Sequence, residues 1–112
     1  MAMVALAAVG LLVVKRLVIG GKAARDVVKA MLDAGAQVLD VRTSAEYSGG
    51  SFPGAKNIPV NELGQRLREL KKDRPIVVYC ASGARSGMAA RMLRQAGFTQ
   101  VANAGGMHDL PR

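Results

Sequence analysis

Tryptophan is absent from this sequence of 112 residues, which holds only two tyrosines, two phenylalanines, one histidine and one cysteine. Each scarcity excludes something. Tyr47, Phe52, Tyr79 and Phe98 stand far apart and never interleave with a basic run, so the stacking platform of a single-strand binder is missing and no nucleic-acid partner is expected. A lone cysteine forbids an internal disulfide. With His108 as the single histidine, the ligands of a structural zinc site are also lacking, and neither a metal nor a cofactor is called for. Acidic residues are few: 8 Asp and Glu face 16 Lys and Arg, a formal charge of +8 that points to anionic partners. Apolar residues are plentiful, at 50% of the sequence, enough to fill a modest core in a chain the size of one ordinary domain. Cys80 is then either core filler or chemistry.

Residues 1–14 carry nothing charged or polar beyond the backbone; Lys15 and Arg16 follow, then Leu17, Val18 and Ile19 lead into Gly20 and Gly21. Residues 1–19 read as an apolar N-terminal segment, a candidate membrane anchor with a basic collar, and residues 20–112 as the folded domain. Fourteen helical residues reach about 21 Å, short of a hydrocarbon core of about 30 Å, so spanning needs the stretch through Ile19 with both cations snorkelling. No basic residue precedes the apolar run, which disfavours a cleavable signal peptide. Lys15, Arg16, Lys22, Arg25 and Lys29 on the C-terminal flank predict an inner-membrane protein whose domain faces the cytoplasm. The alternative is a first strand at 17–19, with residues 1–14 a buried or partner-facing helix.

From Lys22 onward helical and strand patterns alternate. Ala23, Ala24, Val27, Val28, Met31 and Leu32 recur at helical spacing and stop at Gly35, a residue suited to a left-handed C-terminal cap. Val38, Leu39, Asp40 and Val41 form a short buried-strand pattern, and Thr43-Ser44-Ala45-Glu46 has the spacing of a capping box. Pro53 and Gly54 mark a turn, and residues 55–58 a further short strand. Asn61 is a fitting N-cap for a helix carrying Leu63, Leu67 and Leu70 on one stripe beside Arg66, Arg68 and Glu69. Pro75 introduces the apolar run Ile76-Val77-Val78-Tyr79. A last helix places Met88, Ala89, Met92, Leu93 and Ala96 on one face, and Val101-Ala102 closes the set. Such alternation predicts an α/β fold with a mostly parallel central sheet covered by helices on both faces.

In open α/β sheets ligands collect at the carboxyl ends of strands, where Cys80 stands. The loop Cys80-Ala81-Ser82-Gly83-Ala84-Arg85-Ser86 has small side chains apart from Arg85, so its amides can curl inward as an anion nest, and the following helix adds its positive end. Both effects favour thiolate over thiol, which makes Cys80 the candidate nucleophile. Arg85 is a cation at a helix N-terminus, where it opposes the dipole; this argues for another purpose there, such as orienting an anion. Ser86 fits a helix cap better than a ligand contact. His108 reads as a surface residue.

The runs Val38-Leu39-Asp40-Val41-Arg42, Glu46-Tyr47, Phe52-Pro53-Gly54-Ala55, Asn57-Ile58-Pro59, Val78-Tyr79-Cys80 and Gly105-Gly106 fall in the order seen in single-domain rhodaneses. The chain resembles this thiosulfate sulfurtransferase-like family over residues 17–112. Its closing stretch, residues 101–110, is most similar to the small phage-shock rhodaneses of bacteria, a likeness that admits a periplasmic location as the alternative. Ser51 stands where the family often has histidine, and Leu110 where it often has an aromatic residue. The resemblance implies a rhodanese-like fold and sulfurtransfer: Cys80 takes sulfane sulfur from an anionic donor such as thiosulfate and passes it, as a persulfide, to cyanide or a thiol. Ala81, Ser82, Gly83, Ala84, Arg85 and Ser86 would bind the substrate. Asp40, Arg42 and Glu46 belong to the family's signature and take structural roles, Arg42 and Glu46 as an ion pair on the scaffold.

Two other classes remain open. Cysteine-dependent phosphatases of related fold use a similar loop, yet place five residues between Cys and Arg, whereas only Ala81, Ser82, Gly83 and Ala84 separate Cys80 from Arg85. A membrane-tethered, non-catalytic binding module is the other.

Overall fold

A computed structural model describes residues 21–111. Four parallel strands, β1 (Gln37–Asp40), β2 (Lys56–Asn57), β3 (Ile76–Cys80) and β4 (Val101–Gly106), lie in the order β2-β1-β3-β4. The helices are α1 (Arg25–Asp33), α2 (Ser44–Ser48), α3 (Val60–Leu63) and α4 (Ala84–Gln95), with 3₁₀ turns at Leu67–Glu69 and Met107–Asp109.

All five residues of β3 are buried, as a central strand covered on both faces requires. Because side chains alternate along a strand, Ile76, Val78 and Cys80 enter one core with Leu63 of α3 and Ala89, Ala90 and Leu93 of α4. Val77 and Tyr79 enter the other with Val28 and Met31 of α1. The α/β reading with a parallel sheet and helices on both faces is what the chain adopts. Asp40 and Tyr79 are partners in the β1–β3 register, so the polar group of Asp40 must be satisfied deep in the sheet.

Local signals explain several boundaries. Helix α1 stops where Gly35 turns left-handed at φ 85°, the Gly35 amide bonding Leu32 O and the Ala36 amide Met31 O, which satisfies carbonyls the helix leaves open. The capping box at α2 forms as its spacing predicts. The helix predicted from Asn61 to Leu70 does not form as one piece. Pro59, not Asn61, precedes α3; the helix ends at Gly64, and Leu67–Glu69 is a separate 3₁₀ turn. Breaking at Gly64 still lets Leu63, Leu67 and Leu70 reach one core, while Leu70 leaves extended toward Lys71, which the Gln37 side chain clamps through both its amide and its carbonyl. Met88, expected on the inner face of α4, is instead exposed, and Ala90 takes an inner position. The closing strand runs on to Gly106, well past Ala102.

The inner-membrane assignment is corrected. Among the described residues no helix is long and apolar enough to cross a membrane. The longest, α4, has 12 residues and spans about 18 Å, against about 30 Å of hydrocarbon. The apolar segment 1–19, on which that expectation and the strand alternative at 17–19 rested, lies outside the described residues.

Candidate active site

Strand β3 delivers Cys80 to the carboxyl edge of the sheet, between β1 and β4, and α4 begins four residues later. The residue that joins strand to helix is Gly83, whose φ of 109° reverses the chain at the N-cap of α4. The reversal aims the Gly83 amide back at the Cys80 sulfur, with N to Sγ at 2.9 Å. Burial pushes the Cys80 thiol up, but the Ser86 hydroxyl and the amides of Ser86, Gly83 and Ser82 outweigh it and hold the thiol below its ordinary value. Cys80 has none of its surface exposed, whereas Ala81, Ser82 and Ala84 are exposed. The sulfur is thus enclosed at the base of a loop whose small side chains are exposed.

Ser86 does not cap α4. It sits inside the first turn, fully buried, with its Oγ 3.4 Å from Cys80 Sγ and 2.7 Å from Asn103 Oδ1. Asn103 Oδ1 also accepts the Gly105 amide at 3.0 Å and is the nearest of three oxygens around the serine hydroxyl, ahead of Gly83 O at 3.1 Å and Gly105 O at 3.4 Å. It therefore takes the serine proton while Cys80 is a thiol, and Cys80 donates to Ser86 Oγ. When the thiol ionises, the serine hydroxyl must turn to the sulfur and give up Asn103. Asn103, 3% exposed, is a site residue that the motifs did not single out. Its signal was there to read: one amide side chain in a strand otherwise made of Val, Ala and Gly, at a position facing the Cys80 side of the sheet.

The paired glycines complete the floor. Register slips between Val78 and Tyr79 on β3, so that Asn103 pairs with Val78, Gly105 with Tyr79 and Gly106 with Cys80, leaving Ala104 as the extra residue. This brings Gly105 under Gly83 and Gly106 under Ala81.

The signature residues pair differently from expectation. Arg42 does not meet Glu46. It forks onto Asp40, with Nη2 to Oδ2 at 2.7 Å and Nε to both carboxylate oxygens, and Nη2 also reaches Gly50 O. Asp40 keeps the Arg42 guanidinium more firmly charged than usual, against the cost of burial. Tyr79 Oη donates to Asp40 Oδ2 at 2.8 Å and accepts the Phe52 amide at 2.9 Å, tying the loop after α2 to the strand that carries Cys80. Glu46 pairs with Arg85, Nη1 to Oε1 at 2.7 Å and Nη2 to Oε2 at 3.0 Å, which supplies the reason for a cation at the start of α4. The Arg85 guanidinium and the Thr43 amide push the Glu46 carboxyl down to about 2. Arg85 also lies within electrostatic reach of Cys80.

His108 is exposed on the last 3₁₀ turn. Among the described residues no three His, Cys, Asp or Glu side chains cluster as a metal site would require. A sulfur held by inward amides, in a loop of small exposed side chains with a guanidinium nearby, suits a nucleophile that receives a compact anion.

The family model for the rhodanese-like domain matches residues 24–110. The chain is similar to a sulfurtransferase of Allochromatium vinosum, with 42% identity over 59% of this chain and 62% of that one. It is similar also to the thiosulfate sulfurtransferase PspE of Escherichia coli, with 38% identity over 64% of this chain and 71% of PspE. The first curated relatives are covered over about half of their length: 54% of the uncharacterised Bacillus subtilis protein YqhL, 62% of the A. vinosum protein and 38% of the putative sulfur carrier protein YrkF. Among solved structures, an E. coli rhodanese with bound anions superposes at a TM-score of 0.64 and 36% identity, over 69% of this chain and 95% of that one. The family match over most of the chain, on a parallel sheet that ends in this cysteine loop, places the protein in the rhodanese-like family.

Proposed function

We propose that the protein is a sulfurtransferase in which Cys80 accepts sulfane sulfur from an anionic donor such as thiosulfate and carries it as a persulfide to cyanide or a thiol. The observation that carries this reading is the 2.9 Å contact from the Gly83 amide to a sulfur whose thiol is held below its ordinary value. Sulfurtransferases among the relatives support the same class of chemistry.

The Cys80 thiolate attacks the outer sulfur of the donor. A new S–S bond forms to Sγ, the donor's own S–S bond breaks, and sulfite leaves with the bonding pair. Three negative charges enter and three leave, shared between persulfide and sulfite. The added sulfur needs room that the enclosed Sγ does not offer, so the exposed Ser82–Ala84 part of the loop shifts outward while Ala81, whose backbone rests on Gly106, holds its place. The loop amides then face the terminal persulfide anion and stabilise it electrostatically. A cyanide ion or thiolate attacks that terminal sulfur and returns Cys80 as thiolate.

Intact mass of the full chain before and after thiosulfate tests this. A gain of about 32 Da, absent in Cys80→Ser and discharged by cyanide as thiocyanate, is the expected covalent carrier. A folded, reduced protein that gains no mass and forms no thiocyanate would overturn it.

A further inference from the structure

The Glu46 carboxylate is held from two sides. At the start of its own helix it accepts the Thr43 amide at 3.0 Å, one leg of a capping box whose other leg is the Glu46 amide to Thr43 Oγ1, and it also accepts the Thr43 hydroxyl at 3.1 Å, both at Oε1. From across the fold, 39 positions along the chain, it takes both terminal nitrogens of Arg85. The bidentate fork holds the guanidinium on Glu46 of α2, and its charge is balanced one for one. The attraction left for an incoming anion is that of the loop amides and the helix end, about half an elementary charge. Opposing it is the Cys80 thiolate. The chain's +8 steers anions from afar but is screened beyond about 8–10 Å at ordinary ionic strength.

Resting on the sulfurtransferase reading, we propose that Glu46 sets the charge preference of the site: by neutralising Arg85 at the mouth of the Cys80 loop, it makes the protein favour singly charged sulfane-sulfur donors over doubly charged ones. Glu46 is a specificity-determining residue that acts through Arg85 and need not touch the donor. A dianion gains full use of Arg85 only by competing with a carboxylate that Thr43 holds in place. A monoanion meets less repulsion and loses less by leaving the pair intact.

Two donors that share a sulfonyl-bound outer sulfur but differ by one charge isolate this effect: thiosulfate, with two negative charges, and methanethiosulfonate, with one. The measurement is KM for each, with cyanide as acceptor, in the full-length wild type and in Glu46→Gln, whose amide oxygen still accepts from Thr43. Wild type is expected to show the lower KM for methanethiosulfonate, a reading that needs no variant. Glu46→Gln is expected to lower KM for thiosulfate about fivefold, the size an exposed charge pair supports, and to change that for methanethiosulfonate much less. Glu46→Asp, which keeps the charge, should hold the ratio of the two KM values near that of wild type. A Glu46→Gln protein with a raised KM for thiosulfate, or with both donors shifted alike, would mean that the carboxylate merely positions Arg85. Wild type that takes sulfur from neither donor would instead remove the sulfurtransferase reading, and this proposal with it.

Discussion

Gly106 and Ala81 meet backbone to backbone: a Cβ built on Gly106 lies 2.5 Å from the Ala81 carbonyl oxygen. The contact joins the end of β4 to the first residue after Cys80, so the start of the loop and the floor beneath it are one packed unit. Gly106→Ala must push the loop away from β4. We expect it to destabilise the protein by about 1–3 kcal/mol, as overpacking does, and to slow sulfur loading. Gly49→Ala is the control, because its Cβ meets nothing nearer than 3.5 Å and its φ of −78° suits alanine. Urea denaturation of both variants checks this; equal midpoints would mean that the Ala81–Gly106 contact relaxes freely.

Ser86 and Asn103 should move the Cys80 thiol in opposite directions. Ser86→Ala removes a donor to the thiolate, so the pH midpoint of Cys80 alkylation by iodoacetamide rises. Asn103→Ala removes the nearest of the oxygens that compete for the serine proton, leaving only the more distant Gly83 O at 3.1 Å and Gly105 O at 3.4 Å, so the hydroxyl turns more readily to the sulfur and the midpoint falls. The linked stability follows a fixed sign. A thiol depressed in the folded state contributes stability above its ordinary value, and that contribution is lost as pH falls through the folded value. Midpoints that shift the same way in both variants would show that the proton is not shared as the distances require.

The position of Cys80 was legible because it depends on local information: an apolar strand, then small residues, then a helix. The fold class was legible for the same reason. Several quoted motifs turn out to be contact partners of one another, as where Tyr47 Oη donates to Ala55 O, and Asn57 Nδ2 to the carbonyls of Asp40 and Arg42. What sequence spacing does not encode is which charges meet across the fold. Arg42 stands in the bend just past β1, where its own amide bonds Asp40 Oδ1 at 2.8 Å, and this local turn favours their fork over a pair with Glu46. Glu46 then answers Arg85, and nothing within either segment announces it. The broken helix after Pro59 was hidden because Leu63, Leu67 and Leu70 serve one core whether or not Gly64 interrupts them.

Tyr79 bears on the site from the face opposite Cys80. Its hydroxyl is held in the neutral form, pushed up to about 12, first by burial. Tyr79→Phe leaves the Phe52 amide without its acceptor and takes one donor from Asp40, while the ring and its edge contact with Phe52 persist. A partly buried group left unpaired costs about 1–3 kcal/mol, and that is the loss of stability expected in thermal or urea unfolding. Unchanged stability would mean that solvent reaches the Phe52 amide. In wild type the raised phenol makes stability fall as pH climbs above its ordinary value of 10, and Tyr79→Phe removes that part of the alkaline loss.

Acid titration isolates the pair at the mouth of the loop. Glu46 is pushed down from an ordinary value of 4.5 to about 2, first by Arg85 and then by the Thr43 amide. A carboxylate depressed in the folded state contributes stability that is complete above 4.5 and disappears as pH falls through about 2. The difference in unfolding stability between wild type and Glu46→Gln should therefore be greatest above pH 4.5 and shrink as pH approaches about 2. Both side chains are 35% exposed, so salt screens the pair and the difference should narrow in concentrated sodium chloride as well. Glu69 is depressed to a similar value by Arg66 and Lys56, away from the loop, so Glu69→Gln reproduces the acid behaviour but not the change in donor preference expected of Glu46→Gln. A wild-type-minus-Glu46→Gln difference that stays flat from neutral pH down to about 2 would show that the Arg85–Glu46 fork does not hold in solution, and would leave Arg85 free to meet a dianion directly.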